Sequence, residues 1–473
     1  MADALWEWEA LVAAAGGKPD GVPHAPITGV SIDTRTLAPG DVFVALKDQR
    51  DGHDFVDAAF ANGAAAALVR DDYRRRPRDG ALLRVEDTLL GLGRIGTAAR
   101  ARLHAEARVV AVTGSAGKTG TKEMLRAALG RLGRVHAPDK SFNNHFGVPL
   151  TLARMPRASD FAVFEIGMNH AGEIRPLTRM VRPHVAIVTN VLPVHIGNFP
   201  DGEIGVAHAK AEIFDGVVAG GSAIIPRDSP HFALLAERAS ARGLRVISFG
   251  GHAESAVRLY SLQKTRKGGA ELQVLTVETS RPSGRLLVEL GMLGEHLARN
   301  ALAVIAALEA LGADTLTAAG ALANVTSGAG RGARITLSAG GSGQILLIDE
   351  SYNANPASME AALHALGELE GRRIAVLGDM LELGSEAERY HTGLAAALDD
   401  ARVDRVFACG PNMKLLYETL PPAMRGAWAP SSAGLVEAVA GSLKAGDVVM
   451  VKGSLGSRMA PIVEALKKRF AAA

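Results

Sequence analysis

The residues whose spacing most constrains a chemistry run from Ala111 to Thr121, in the order A-V-T-G-S-A-G-K-T-G-T. Gly114, Ser115, Ala116, Gly117, Lys118, Thr119 and Gly120 form a glycine-rich turn that ends on a lysine and a threonine. Small residues let backbone N–H groups approach an anion. Lys118 could reach the outer phosphates of a nucleotide, and the Thr119 hydroxyl could sit on Mg2+. That mechanism needs a strand before the turn and a helix after it. Arg108–Val112 is apolar and β-branched, as a buried strand is, and Lys122–Leu129 reads as a helix. Together they would aim the positive end of a helix at the phosphates. The strict G-x-x-x-x-G-K-[ST] pattern is not met, because its first glycine falls on Val112. An ordinary glycine turn with a surface lysine is the alternative, and the flanking elements favour the phosphate loop.

Polar residues at strand ends come next, because open α/β sheets place ligands there. Glu165 closes the apolar run Phe161–Phe164. A carboxylate beside a phosphate loop is a natural Mg2+ ligand, with a strand-end salt bridge as the alternative. His195 follows the run Val185–Val191 and is either a structural histidine or a second metal ligand. Lys210 lies on a mostly apolar helical stretch, where a lysine usually snorkels to solvent. Asn143 and Asn144 precede Gly147 and Pro149, in a loop that either orients substrate or simply turns. Asn300 falls one turn into a helix and could read an adenine edge or hydrogen-bond locally. In D-E-S-Y-N-A-N-P, from Asp349 to Pro356, Asn355 and Pro356 suit the N-cap and first turn of a helix. Capping leaves Asp349, Tyr352 and Asn353 unexplained. Read from residues alone, this is a nucleotide triphosphatase, and a phosphate loop does not choose between a ligase, a kinase and a mechanical ATPase.

The elements that must position these groups fall into three α/β units, in keeping with 473 residues. Residues 1–105 mix short strands and helices, with Asp87 capping a long helix. Residues 106–326 alternate strand and helix, which implies a mostly parallel, P-loop-type sheet covered on both faces. From Ala256 to Leu290 the pattern changes to two-residue alternation, expected as antiparallel strands at that sheet's edge. Ser327–Gly332 reads as a hinge. Residues 327–473 form a second doubly wound, Rossmann-like unit that lacks G-x-G-x-x-G, so a nicotinamide site is not supported. A formal charge of +2 gives no case for nucleic-acid or membrane affinity. Cys409, the single cysteine, is expected as a buried core residue. No signal peptide and no apolar run of about 18 residues is visible, so a cytoplasmic protein without a membrane span is expected.

T-G-S-A-G-K-T-G-T, F-E-I-G-M-N, T-N-V-L-P-V-H-I-G-N-F, A-H-A-K-A-E-I-F, G-E-H-L-A-R-N and G-A-R-I, in that order, resemble the Mur ligases of bacterial cell-wall synthesis over essentially the whole chain. S-I-D-T-R-T-L-A-P-G-D-V-F-V-A-L and D-E-S-Y-N-A-N-P are similar to the family member that adds D-alanyl-D-alanine. The Asn-Pro-Arg signature of the relative that adds meso-diaminopimelate is absent. Folylpolyglutamate synthetase resembles the ATPase core but has no matching uridine-binding domain. The resemblance implies an ATP-dependent, ADP-forming amide ligase. It would use Mg2+ to join D-alanyl-D-alanine to UDP-N-acetylmuramoyl-tripeptide through an acyl phosphate. The alternatives are a family ligase adding a single amino acid, meso-diaminopimelate or lysine, and a folylpolyglutamate-synthetase-like ligase. By matching motif, Ser31, Asp33, Thr34 and Arg35 would belong to the uridine-nucleotide pocket of the first domain, and Asn300, Arg334 and Asp349 would contact ATP. Asn143, Asn144, Tyr352, Asn353 and Asn355 would face the other substrates, the last three from a C-terminal domain that closes on ATP. Lys210 matches a lysine that is carbamylated in some relatives, which would make it an anion able to bind a second Mg2+ with Thr119, Glu165 and His195. The partners implied are small molecules only, and a monomer is expected.

Overall fold

The computed structural model describes residues 4–194, 196–267, 270–280, 283–326, 328–340 and 343–471. Of the residues singled out above, His195 and Ser327 lie outside the described set. Three sheets follow one another along the chain. The first runs in the order Lys18–Asp20, Ala81–Val85, Ala66–Arg70, Asp41–Val44, Gly29–Ser31. Its neighbours are parallel except at the Lys18–Asp20 edge. That edge strand, Lys-Pro-Asp, has no apolar residue and so no periodicity to read. Asp87 caps the helix Thr88–Ala101, its carboxylate accepting from the Leu90 N–H at 2.8 Å.

The central sheet has nine strands. From one edge they are Ser283–Leu290, Ala270–Ser280, Val257–Lys267, Arg245–Gly250, Ser222–Pro226, Val185–Val188, Arg108–Thr113, Phe161–Glu165 and Val135–His136. The last seven are parallel, and the first two extend the sheet as antiparallel strands, as the alternation from Ala256 predicts. Arg108–Thr113 lies between parallel neighbours and is buried on both faces from Val109 on, which is why Val109–Val112 is continuously apolar rather than alternating. The chain visits Phe161–Glu165 on one side of it before Val185–Val188 on the other. The C-terminal end of Arg108–Thr113 is therefore a switch point, where such sheets open a crevice. The helix Glu295–Leu311 buries every residue from Asn300 to Leu308 and packs with Met124 and Leu125 of the helix that follows the loop. Leu302→Ala there costs about 2–5 kcal/mol.

The third sheet runs Ala333–Ser338, Gln344–Glu350, Asp447–Lys452, Arg372–Gly378, Arg405–Cys409, Arg425–Ala429, antiparallel only at its first pair. Separate apolar layers cover its two faces, one with Met359, Leu363 and Met413, the other with Leu435, Ile462 and Leu466. Cys409 is buried in it. Among the described residues, no helix is long and apolar enough to cross a membrane.

Candidate active site

The turn after Arg108–Thr113 is shaped by the end of the neighbouring strand. Thr189 Oγ1 donates to Ala116 O at 2.6 Å, and Ala116 N donates to Asn190 Oδ1 at 2.9 Å. Ser115 Oγ donates to Leu192 O and accepts from Leu192 N, so this hydroxyl holds the loop rather than facing a ligand. Gly114 and Gly117 have φ of 151° and 81°. A Cβ at Gly114 would overlap the Thr189 hydroxyl, and one at Gly117 would lie 2.6 Å from Asn300 Nδ2. Asn300 thus stands directly against the loop. Gly120 faces Leu297 and Met292, which makes it a packing glycine on the Lys118–Leu129 helix. Lys118 Nζ folds back onto Gly114 O at 2.7 Å. Burial pushes its pKa down, opposed by Glu165 and reinforced by Arg331.

Thr119 and Glu165 meet as expected. The Thr119 hydroxyl donates to Glu165 Oε2 at 2.7 Å and lies 2.9 Å from Ser141 Oγ. Asn143 Nδ2 donates to Glu165 Oε1 at 2.7 Å. Glu165 is buried, so its carboxylate is held by these neighbours instead of water. A buried carboxylate beside a hydroxyl, next to a phosphate cradle, is a hard oxygen donor set that fits Mg2+, which takes one or two carboxylates and completes its shell with phosphate and water. Among the described residues, no group of three or more His, Cys, Asp or Glu converges. Lys210, on the helix Gly202–Ala211, is buried and makes no ion pair among the described residues. It does not snorkel. Burial, and then the charge of Lys118, push its pKa well below the usual lysine range.

Several of the expected site residues are engaged locally in this structure. Arg334 does not reach the loop, because its guanidinium donates to Glu271 Oε2 at 2.9 Å on the antiparallel edge of the central sheet. Arg331 arrives instead, donating to Ser141 Oγ at 3.0 Å with its guanidinium 4.0 Å from the centre of the Tyr352 ring. Asp349 is hydrogen-bonded to its own neighbourhood. Its carboxylate accepts from Gly330 N at 2.8 Å, Ser351 Oγ at 2.6 Å and Ser351 N, so it fastens the segment that carries Arg331. Asn355 caps Pro356–Gly367 reciprocally with Ser358, and its amide oxygen is used there rather than on substrate. Asn144 is likewise used locally, accepting from Gly147 N and Phe146 N. Asn353 is exposed, its side-chain oxygen accepting from Ala354 N and its carbonyl from Lys452 Nζ. Residues not singled out in advance are Ser141, Arg331 and Lys122. Lys122 is fully buried, and its ammonium donates to Pro138 O, tying the loop that bears Ser141 and Asn143 to the helix after the phosphate cradle. The signal for it was one more lysine in K-T-G-T-K; the signal for Arg331 was a charge inside a run of glycines.

Ser31, Asp33, Thr34 and Arg35 line one cavity of about 820 Å3 between the first two sheets, with Phe142 and Arg154 on its far wall. Arg35 clasps Asp33 through Nε and Nη2, at 2.9 and 2.6 Å to its two oxygens, and holds the Asp33 pKa down to about 2. Ser31 Oγ and the Asp33 backbone fix the turn, and Thr34 O accepts from Asn62 Nδ2. A second cavity, of about 1060 Å3, lies on the other side of the Phe142–Phe146 segment.

Three family models match: the Mur ligase middle domain over residues 112–308, the Mur ligase glutamate ligase domain over 330–455 and the Mur ligase family catalytic domain over 26–91. The chain is 39% identical to the UDP-N-acetylmuramoyl-tripeptide–D-alanyl-D-alanine ligase of Escherichia coli, over 81% of each chain. It is 35% identical to the Bacillus subtilis protein of the same name, over 93% of each. A crystal structure of MurF from Acinetobacter baumannii superposes with a TM-score of 0.84 at 31% identity, covering 98% of this chain and 99% of that one.

Proposed function

Since the chain belongs to the Mur ligase family, we propose that it joins D-alanyl-D-alanine to UDP-N-acetylmuramoyl-tripeptide with conversion of ATP to ADP and phosphate, in peptidoglycan precursor synthesis. The observation that carries the chemistry is the convergence of Lys118, Thr119, Glu165 and Arg331 around the C-terminal ends of two neighbouring strands, Arg108–Thr113 and Phe161–Glu165. The amine and the sugar nucleotide are supported by the names of relatives that align over four fifths or more of this chain.

A terminal carboxylate oxygen of the peptide attacks the γ-phosphorus of ATP, and the bond to the β-phosphate oxygen breaks. The dipeptide amine then attacks the acyl carbon, loses a proton, and expels phosphate. Two anions must meet in the first step. Lys118 swings from Gly114 O to the phosphates, and Arg331 adds a second fixed cation from the C-terminal side, offsetting the charge that builds on the transferring group. Thr119 and Glu165 would hold Mg2+, which would supply positive charge to offset that of the nucleotide phosphates. The neutral amine favoured for Lys210 is the form that adds CO2, and the resulting carbamate would supply a further anionic ligand. Residues 1–105 hold the uridine nucleotide around Ser31–Arg35. Residues 106–326 carry the ligase centre. Residues 327–473 close on it, presenting Tyr352 and the incoming amine and excluding water that would hydrolyse the acyl phosphate.

Phosphate release with UDP-muramoyl-tripeptide and a panel of amines tests this function. D-alanyl-D-alanine should support turnover far better than meso-diaminopimelate, lysine or glutamate. Equal activity with a single amino acid would move the chain to another member of the family.

A further inference from the structure

The nine-stranded sheet ends on Ser283–Leu290, which pairs with Ala270–Ser280 on one side and, among the described residues, with no strand on the other. Apart from the ladder with that neighbour, the backbone of residues 284–290 makes no backbone–backbone hydrogen bond among the described residues. Such an edge is a template for a further strand, and proteins usually blunt it with charges that repel one. Strand alternation puts Arg285, Leu287 and Glu289 on one face and Val288 and Leu290 on the other. Val288 and Leu290 are buried, whereas Leu287 is 71% exposed. Arg285 and Glu289 lie at equal spacing on either side of Leu287, and they carry opposite charge.

We propose that this edge pairs antiparallel with the same strand of a second copy of this chain, with Leu287 facing its counterpart on the twofold axis. In that register Arg285 stands opposite Glu289 of the second copy, and Glu289 opposite its Arg285. A shift of two residues either way would set each leucine against a charge, and a shift of one would mismatch the buried and exposed faces. The charges therefore select one register of self-pairing instead of blocking it. Within one chain the signs already alternate across this face. Arg285 donates to Glu278 Oε1 at 2.9 Å, with its guanidinium 3.7 Å from the centre of the Tyr260 ring. Glu278 also pairs with Arg258, and Glu289 accepts from Lys267 Nζ at 2.8 Å. The dimer extends that row as Arg258, Glu278 and Arg285, then Glu289 and Lys267 of the second copy. Unlike charges stay adjacent throughout, which is the favourable arrangement for cross-strand pairs.

One strand pair is a small interface, so the dimer is weak and the expected monomer is its dilute form. Sedimentation velocity of the full chain between about 1 and about 200 µM should show the mass rising towards that of a dimer. Arg285→Glu makes both opposed positions acidic, and Glu289→Arg makes both basic. Each variant alone should stay monomeric. An equimolar mixture of the two should recover the dimer, because every acidic position then faces a basic one. If either reversal prevents folding by disturbing its own Glu278 or Lys267 contact, Leu287→Cys decides. Directly opposed residues bring their Cβ atoms to about 4.5–5.5 Å, close enough for a disulfide to form with a small adjustment. The native cysteine, Cys409, is buried and does not compete. Mild oxidation should cross-link Leu287→Cys into a dimer, and should leave Val22→Cys, at another exposed apolar position, largely uncrosslinked. A wild type that is monomeric throughout overturns the proposal and leaves the edge to a different protein. Reversal variants that dimerise alone, a mixture that stays monomeric, or equal cross-linking of the two cysteine variants overturns it as well.

Discussion

Arg331 donates to Ser141 Oγ at 3.0 Å, across 190 positions of sequence, and so brings a cation from the start of the C-terminal unit into the centre built by the middle one. Its stack on Tyr352 and the clamp of Gly330 by Asp349 aim it there. Arg334, three residues on, is occupied by Glu271. Arg331→Ala should therefore lower kcat by about 100-fold, with partial recovery on adding guanidinium, whereas Arg334→Ala should stay within a few fold of wild type. Steady-state kinetics of both variants decide. A larger loss for Arg334→Ala would return the role to the residue that the G-A-R-I motif suggests.

Lys118 donates to Gly114 O, a contact it can exchange for a phosphate oxygen without moving the backbone. Lys118→Ala should reduce turnover by about 100- to 1000-fold and leave the melting temperature almost unchanged, since it removes a charge stabilised chiefly by ligand. Turnover within tenfold of wild type would exclude Lys118 from the transferring phosphate.

The phosphate cradle was legible in sequence because its strand, turn and helix are local and each has its own signature. The antiparallel edge of the central sheet was legible for the same reason. Thr119 and Glu165 could be paired in advance because Glu165 ends a strand beside the strand whose following turn leads into the helix that starts with Lys118 and Thr119. The local hydrogen bonds of Asp349, Asn355 and Asn144 were not readable, since a polar side chain at a strand end, a helix N-cap or a loop looks the same in sequence whether it meets a ligand or its own backbone. Arg331 and Lys122 were hidden for a different reason. Their partners, Ser141 and Pro138, lie in a loop without periodicity, and only the fold brings them together.

Glu309, at the end of the helix Glu295–Leu311, is raised to about 7 by burial, with Arg245 opposing, and its Oε1 has no hydrogen-bond partner among the described residues. A carboxyl whose folded pKa exceeds its unfolded one binds protons more tightly when folded. Its contribution is therefore favourable below the unfolded value of 4.5 and is lost as pH rises through about 7. Glu309→Gln should flatten that part of the stability profile and raise stability at pH 8 by on the order of 1–2 kcal/mol. Urea unfolding of both proteins across pH 5–8 measures it. Parallel profiles for the two proteins would show that Glu309 does not carry the dependence.

The central claim is that the peptide carboxylate is phosphorylated before the dipeptide attacks it. UDP-muramoyl-tripeptide labelled with oxygen-18 in its terminal carboxylate tests this directly. When the enzyme ligates it to D-alanyl-D-alanine, mass spectrometry of the released phosphate should find one labelled oxygen per phosphate, and the new amide should retain the other. Ligation that releases unlabelled phosphate would contradict the acyl phosphate, and with it the roles given to Lys118, Glu165 and Arg331.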